Sequence, residues 1–316
     1  MLTRRALLTA MGTGALGWAA GCGTGGAREL TVAAGEPGGF YLEFAQLLAR
    51  EIPARESSLR VRALATEGSR DNLRLLSEGR ADLALTLVDS AQVANGHPDR
   101  RSAVRAVGRV YENYLQLVVL EQSPIHTVAD LAGRTVSAGA AGSGAELTAR
   151  RVMQVAGLHT EPGGQPVTVR NHPFVAAIAA LEAGQIDALF WSGGVPTPAL
   201  AALAKRRRIR LLPMNELLPA LRRAYNTAYE LVSVPADSYD AGGEVVTVGV
   251  ANLVVCRPEL DAEIVDVVTR TLVTHAARLV PEQALGTQFL DPRSLIVTSG
   301  IPLHPGAMAA YRSLHG

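Results

Sequence analysis

Leu76-Ser77-Glu78-Gly79-Arg80-Ala81-Asp82-Leu83-Ala84-Leu85 and Leu181-Glu182-Ala183-Gly184-Gln185-Ile186-Asp187-Ala188-Leu189-Phe190 are built on one pattern. Each reads as a helix that stops at a glycine, the residue that adopts the left-handed conformation of a helix end without steric cost. An aspartate follows, and then a short apolar strand. One unit used once per half predicts two similar lobes rather than one sheet. Around the first copy, residues 30–34, 59–65 and 81–88 read as apolar strands, and residues 40–51 and 66–76 as helices. Such alternation implies a mainly parallel sheet covered by helices. Two longer apolar runs, residues 114–120 and 245–255, are suited to carry the chain out of the first lobe and back into it. Residues 257–280 read as one long amphipathic helix, and residues 301–306 lead into a last short one.

The 316 residues suffice for one large domain or two ordinary ones, and 48% hydrophobic with 19% charged residues suits a chain with a filled core. A formal net charge of +1 gives no electrostatic ground for nucleic-acid binding. Lys205 is the one lysine, so arginine is the general basic residue here and no arginine is a ligand on its type alone. Two cysteines, Cys22 and Cys256, exclude a disulfide framework and a four-cysteine metal site. The seven histidines are scattered singly, so neither a structural metal nor a cofactor is expected.

At the N-terminus, Arg4-Arg5 precedes a small-residue apolar stretch that ends at Ala19-Ala20-Gly21-Cys22. A charged start, a short apolar middle and a small-residue end describe a signal peptide over residues 1–22, too short and glycine-rich for a membrane-spanning helix. Thr3-Arg4-Arg5-Ala6-Leu7-Leu8 resembles a twin-arginine export signal. Ala19-Ala20-Gly21-Cys22 resembles a lipobox with Ala19 in place of the usual leucine, which implies a lipid on Cys22 and a tether over residues 23–28. A plain secretory signal with a chance cysteine is the alternative.

Three segments, residues 35–41, 66–72 and 136–147, share a strand, a turn bearing glycine or serine, and a helix. A helix start leaves N–H groups without internal partners and its dipole favours an anion. Glycine admits close backbone approach, and serine adds a hydroxyl donor. Taken singly, each turn is an ordinary cap. Together they lie beyond the carboxyl ends of strands, where open α/β sheets bind ligands. Enzyme signatures are missing: Ala141-Gly142-Ser143-Gly144-Ala145 lacks the flanking glycines of a nucleophile elbow, and no phosphate-binding loop is present. Glu36 with His172 is the one conceivable base and acid pair, so an enzyme is not the expected class. Asp82 and Asp187 are expected to bind local backbone. Lys205-Arg206-Arg207-Arg208 reads as a solvated helix end, with docking to a membrane partner as the alternative.

Across nearly the whole mature chain the sequence resembles the TAXI solute-receptor subunits of TRAP transporters. The segments that carry the likeness are Gly38-Gly39-Phe40-Tyr41, Glu67-Gly68-Ser69-Arg70-Asp71-Asn72-Leu73, Gly142-Ser143-Gly144, Gly184-Gln185-Ile186-Asp187-Ala188-Leu189-Phe190-Trp191, Gly194-Val195-Pro196-Thr197-Pro198 and Ile301-Pro302-Leu303-His304-Pro305-Gly306. The resemblance implies an α/β type II periplasmic-binding fold: two lobes, each with a mainly parallel sheet, joined by crossing strands. Lobe I is expected over residues 29–118 and 253–316, and lobe II over residues 119–252. It implies an extracytoplasmic, monomeric binding protein for a small organic acid or acidic amino acid of the glutamate or 2-oxoglutarate type. Its partner would be a TRAP membrane permease or, alternatively, a sensor histidine kinase. By position, Gly39, Tyr41, Ser69, Asn72, Ser90, Ser143, Gly144 and Trp191 fall on the ligand-facing motifs. Tyr41 and Trp191 would close on the ligand's carbon chain, backbone amides near Ser69 and Ser143 would bind carboxylate, and Asn72 and Ser90 would complete the lining. Glu36-Pro37 departs from the small residues usual in the first turn, so Glu36 either receives a ligand ammonium or faces solvent.

Overall fold

In the computed structural model, which describes residues 27–99, 101, 103–158, 166–225, 228–239, 242–281, 290 and 293–315, the repeated pattern makes the same turn twice. Gly79 and Gly184 take φ of 71° and 68°. The N–H of Arg80 returns to the carbonyl of Leu75, and that of Gln185 to Ala180, each at 2.9 Å. Asp82 Oδ2 accepts the N–H of Thr31, and Asp187 Oδ2 accepts that of Thr135, both at 2.8 Å. In each half the aspartate therefore ties the start of its own strand to the neighbouring one, satisfying a backbone donor beyond the parallel ladder.

The first half supplies three parallel strands: β1 (Arg28–Ala33), β2 (Leu59–Leu64) and β3 (Leu83–Leu87). The second supplies three more, β5 (Thr135–Ser137), β6 (Thr168–Arg170) and β7 (Ala188–Gly193). Both triplets have the order second, first, third, and both third strands abut a crossing strand. Those crossing strands are β4 (Arg105–Leu120) and β10 (Val245–Cys256), antiparallel to each other. β4 pairs with β10 from Arg105 to Tyr114 and with β7 from Tyr114 to Val118, so it changes partner in mid-strand. Two further strands, β8 (Ile209–Leu212) and β9 (Tyr229–Val234), pair with β4 and β10. The expected pair of sheets is thus one hydrogen-bonded path, because each crossing strand is long enough to serve both halves.

Helices α1 (Phe40–Arg55), α2 (Ser69–Ser77) and α3 (Val88–Asn95) follow the strands of the first half. In the second, α4 (Gly144–Val155) and α5 (Phe174–Glu182) precede α6 (Pro198–Arg206) and α7 (Leu218–Tyr225). The chain then returns through α8 (Ala262–Thr274) and α9 (Pro305–His315). One apolar cluster lies against α1 and α8 and another against α5 and α6, while a third joins residues of both halves on the opposite sheet face. The single helix expected over residues 257–280 is shorter: Asp261 caps α8 by accepting the N–H of Glu263, and a separate 3-10 turn spans Ala276–Arg278. Cys256 is fully buried, and burial pushes its thiol up to about 12. Among the described residues, no helix is long and apolar enough to cross a membrane. The signal peptide, Cys22 and residues 23–26 of the tether lie outside the described residues.

Candidate functional site

The carboxyl ends of β1, β3, β5 and β7 meet around a cavity between the halves, enclosing about 450 Å³ with the adjoining open solvent included. Six of the eight expected residues line it: Gly39, Tyr41, Ser69, Ser143, Gly144 and Trp191. Asn72 and Ser90 do not. Asn72 is fully buried and holds the first lobe's loops together. Its Nδ2 donates to the carbonyls of Ala34 and Leu85 at 2.5 and 2.7 Å, and its Oδ1 accepts the Thr66 hydroxyl at 2.6 Å. Ser90 lies in the first turn of α3, buried, with its hydroxyl on Asp89 at 3.3 Å. Sequence position placed both on the ligand-facing motifs, whereas the packing of α2 and α3 turns both side chains into the protein.

The start of α4 is capped from within. Ser143 Oγ accepts the N–H of Glu146 at 3.1 Å, and Glu146 Oε2 accepts that of Gly142 at 2.8 Å, a reciprocal cap. The N–H groups of Gly144 and Ala145 have no partner within the helix, and both residues line the cavity. Ser69 Oγ accepts the N–H of Leu87 at 3.0 Å and lies 3.3 Å from the Tyr41 hydroxyl. With one lone pair engaged, that hydroxyl retains a proton to donate to Tyr41 or to a guest. The start of α2 differs from the expected anion site. The carbonyl of Gly142, from the other half, accepts the N–H groups of Arg70 and Asp71 at 3.1 and 3.2 Å.

Other contacts across the cavity follow the same plan. Glu36 Oε2 accepts the N–H of Phe174, the first residue of α5, at 2.5 Å. Glu36 therefore caps a helix of the opposite half, which is neither of the two roles its sequence allowed. Burial pushes its carboxyl up from 4.5 to about 7; the Phe174 bond works against that rise and the charge of Glu67 adds to it. The Phe174 ring stacks on Trp191 with centroids 3.6 Å apart, and Trp191 Nε1 donates to Thr197 Oγ1 at 3.0 Å. Two glycines permit the approach. A Cβ on Gly194 would stand 2.8 Å from the Phe40 ring, and one on Gly144 would stand 2.6 Å from both Leu87 and Ser69. Behind the cavity, fully buried Asp89 of α3 accepts the hydroxyls of Thr148 and Tyr229 at 3.1 and 3.0 Å, with Arg151 at 3.5 Å.

The lining also contains Asn113 of β4 and Ser192 of β7, which motif reading did not single out. Asn113 carried a usable signal, since it is a polar residue immediately before the apolar run 114–120 that takes the chain between lobes. Among the described residues, no group of three or more His, Cys, Asp or Glu side chains is placed to hold a metal ion.

Among solved structures the chain is similar in fold to a Xanthomonas citri protein bound to ATP, at 14% identity over 90% of this chain and 98% of that one, with a TM-score of 0.53. It is also similar to the alkanesulfonate-binding protein SsuA from Xanthomonas axonopodis pv. citri bound to MOPS, at 24% identity and a TM-score of 0.45. That alignment covers 59% of this chain and 61% of SsuA, so the match spans less than two thirds of that protein's length. The holo ArgBP from T. maritima is 14% identical over 77% of this chain and 88% of that one, with a TM-score of 0.48. At such identities the likeness is one of fold, a two-lobed α/β architecture. The model of the NMT1-like family matches residues 32–313, and on that extent the chain belongs to the NMT1-like family.

Proposed function

We propose that this chain is an extracytoplasmic solute-binding protein that closes two lobes on a small organic acid or amino acid of the glutamate or 2-oxoglutarate type. It makes and breaks no bond. The observation that carries the reading is the cavity between the halves, with the α4 amides of Gly144 and Ala145 on one side and Tyr41, Ser69 and the α1 turn on the other. Amides at a helix start favour a carboxylate, and a guest touching both sides shifts the lobes toward closure. On this reading residues 29–118 and 253–316 move as lobe I against residues 119–252 as lobe II. The segments shared with TAXI subunits support a TRAP-type permease as the partner, and the lipobox-like Ala19-Ala20-Gly21-Cys22 supports a lipid anchor on Cys22.

A thermal-shift screen of the exported protein against amino acids, 2-oxo acids and dicarboxylates tests the function. A ligand at a hundred times its Kd stabilises by about 2.7 kcal/mol, a shift of several degrees. Ser143→Trp fills the cavity and is expected to abolish that shift while leaving the circular dichroism spectrum unchanged. Stabilisation by none of these compounds at millimolar concentration would rule the reading out.

A further inference from the structure

At the rim of the cavity the contacts between the halves gather around one carboxyl. Glu36 stands in the turn between β1 and α1, and its Oε2 accepts the N–H of Phe174, the first residue of α5 in the other half, at 2.5 Å. A helix start has no internal partner for that N–H, so the contact meets a need of the opposite half. The turn is braced on its own side, where the Glu36 carbonyl accepts the N–H of Gly39 at 3.1 Å. Gly39 stands against the edge of Trp191, and Trp191 stacks on Phe174. Glu36, Gly39 and Phe40 of one half therefore meet Phe174, Trp191 and Gly194 of the other in one continuous contact. Glu36 is half-buried, and Pro37 and Gly38 beside it are exposed. Its carboxyl thus lies at the water's edge, and parting the halves returns it to solvent.

The charges around this carboxyl do not favour its ionised form. Burial raises it to about 7 against the opposing Phe174 bond, and the charge of Glu67, from the turn before α2, adds to the rise. On the α5 side His172 precedes the capped residue, with its Nδ1 3.4 Å from Ser137 Oγ. Arg70 of α2 and Arg150 of α4 are paired with Glu146 at 3.5 and 3.0 Å. Among the described residues lining the cavity there is no lysine, arginine or histidine. An ionised Glu36 in this place has a like charge nearby and no cationic side chain to balance it, whereas in water it is solvated.

Building on the solute-binding reading above, we infer that Glu36 is a proton-operated latch between the halves: its protonated carboxyl holds the start of α5, and on losing the proton to solvent it turns to water and releases the contact. The sign follows from the two environments. Released, the carboxyl titrates near its ordinary 4.5, and held, near 7. Between those values closing takes up a proton, so the closed form gains as pH falls through 7 and gains no more below 4.5.

Hydrogen exchange of the Phe174 amide in the exported protein, with no compound added and the intrinsic pH acceleration of exchange removed, tests the latch directly. Protection is expected to fall by ~5-fold or more between pH 6 and 8, while the helix-end amides of Arg80 and Gln185, each bonded within its own half, keep theirs. Glu36→Gln cannot ionise and is expected to hold protection level across that range; Glu36→Ala is expected to be level and low. Protection of Phe174 that does not change with pH in the unaltered protein overturns the inference whether or not the variants fold. A pH dependence retained in folded Glu36→Gln overturns it as well and assigns the effect to another carboxyl between the halves, such as Asp89. Calorimetric titration with L-glutamate and with 2-oxoglutarate, neither of which titrates between pH 6 and 8, then tests the link to capture. The Kd of whichever binds is expected to rise ~5-fold or more over that range in the unaltered protein and to stay level in Glu36→Gln. A level Kd in the unaltered protein overturns the link. Binding by neither compound counts against the solute-binding reading, and the exchange result still decides the latch.

Discussion

Glu36 and Asn72 show how a side chain's role depends on what the fold places beside it. Glu36 reaches the start of α5, and burial there pushes its carboxyl to about 7. A carboxyl whose pKa is raised on folding contributes stability that is fully present below its unfolded value, near 4.5, and lost as pH rises through about 7. Glu112, buried beside Arg109, is pushed to about 7 by burial and acts in the same direction. Thermal unfolding between pH 4 and 8 should therefore show a decline across that window, to which buried Asp89 adds, and Glu36→Gln should make it shallower. An unchanged slope in the variant would show that Glu36 is not buried against Phe174. Asn72 satisfies two carbonyls and a hydroxyl in the interior. Asn72→Ala leaves these groups unpaired and is expected to cost ~2–4 kcal/mol in urea unfolding. A ligand residue on the surface would lose affinity and little stability.

Helix starts meet groups from across the cavity or from their own first turn. The first turn of α2 receives the Gly142 carbonyl, the first turn of α5 receives Glu36, and the first turn of α4 is capped by its own Ser143 and Glu146. Of these three, α4 alone has a start that no group of the opposite half occupies among the described residues. α3 and α4 are joined through Asp89, Thr148 and Arg151, with Tyr229 of β9 completing the network. Removing one member of such a buried ionic group leaves the others uncompensated. Asp89→Ala is expected to destabilise the fold by about 3 kcal/mol, read as a lowered midpoint in urea with the slope unchanged. The strand–turn–helix pattern revealed the starts of α2 and α4 but not that of α5, because capping and glycine placement are local. Which carbonyl or carboxylate occupies each start was not legible, since Gly142 and Arg70, or Glu36 and Phe174, are far apart in the chain.

For the molecule as a whole, the two halves touch where Phe40 stands against Gly194 and Gly39 against the edge of Trp191. A side chain at Gly194 obstructs that contact by pressing on the buried Phe40 ring. If Gly194→Val lowers the closed fraction tenfold, the apparent Kd rises ~10-fold; small-angle scattering should then show a larger radius of gyration in the presence of ligand. Equal affinity and equal compactness would mean that closure does not depend on this contact. The two halves themselves were legible in the paired Leu-x-x-Gly-x-x-Asp stretches and the two long apolar runs, because helix stops, strand starts and burial are specified by residues close together in sequence. The single sheet path was not, since strand pairing is decided by which edges the crossing strands meet. The lining of the cavity was legible in Gly39, Tyr41, Ser69, Ser143, Gly144 and Trp191, but Asn113 entered it and Asn72 and Ser90 left it, because the packing of α2 and α3 decides which way their side chains turn. Sequence alone therefore determined the elements and their repetition, and the tertiary structure decided which groups from distant segments face one another, where burial and unmet hydrogen bonds give them their chemistry.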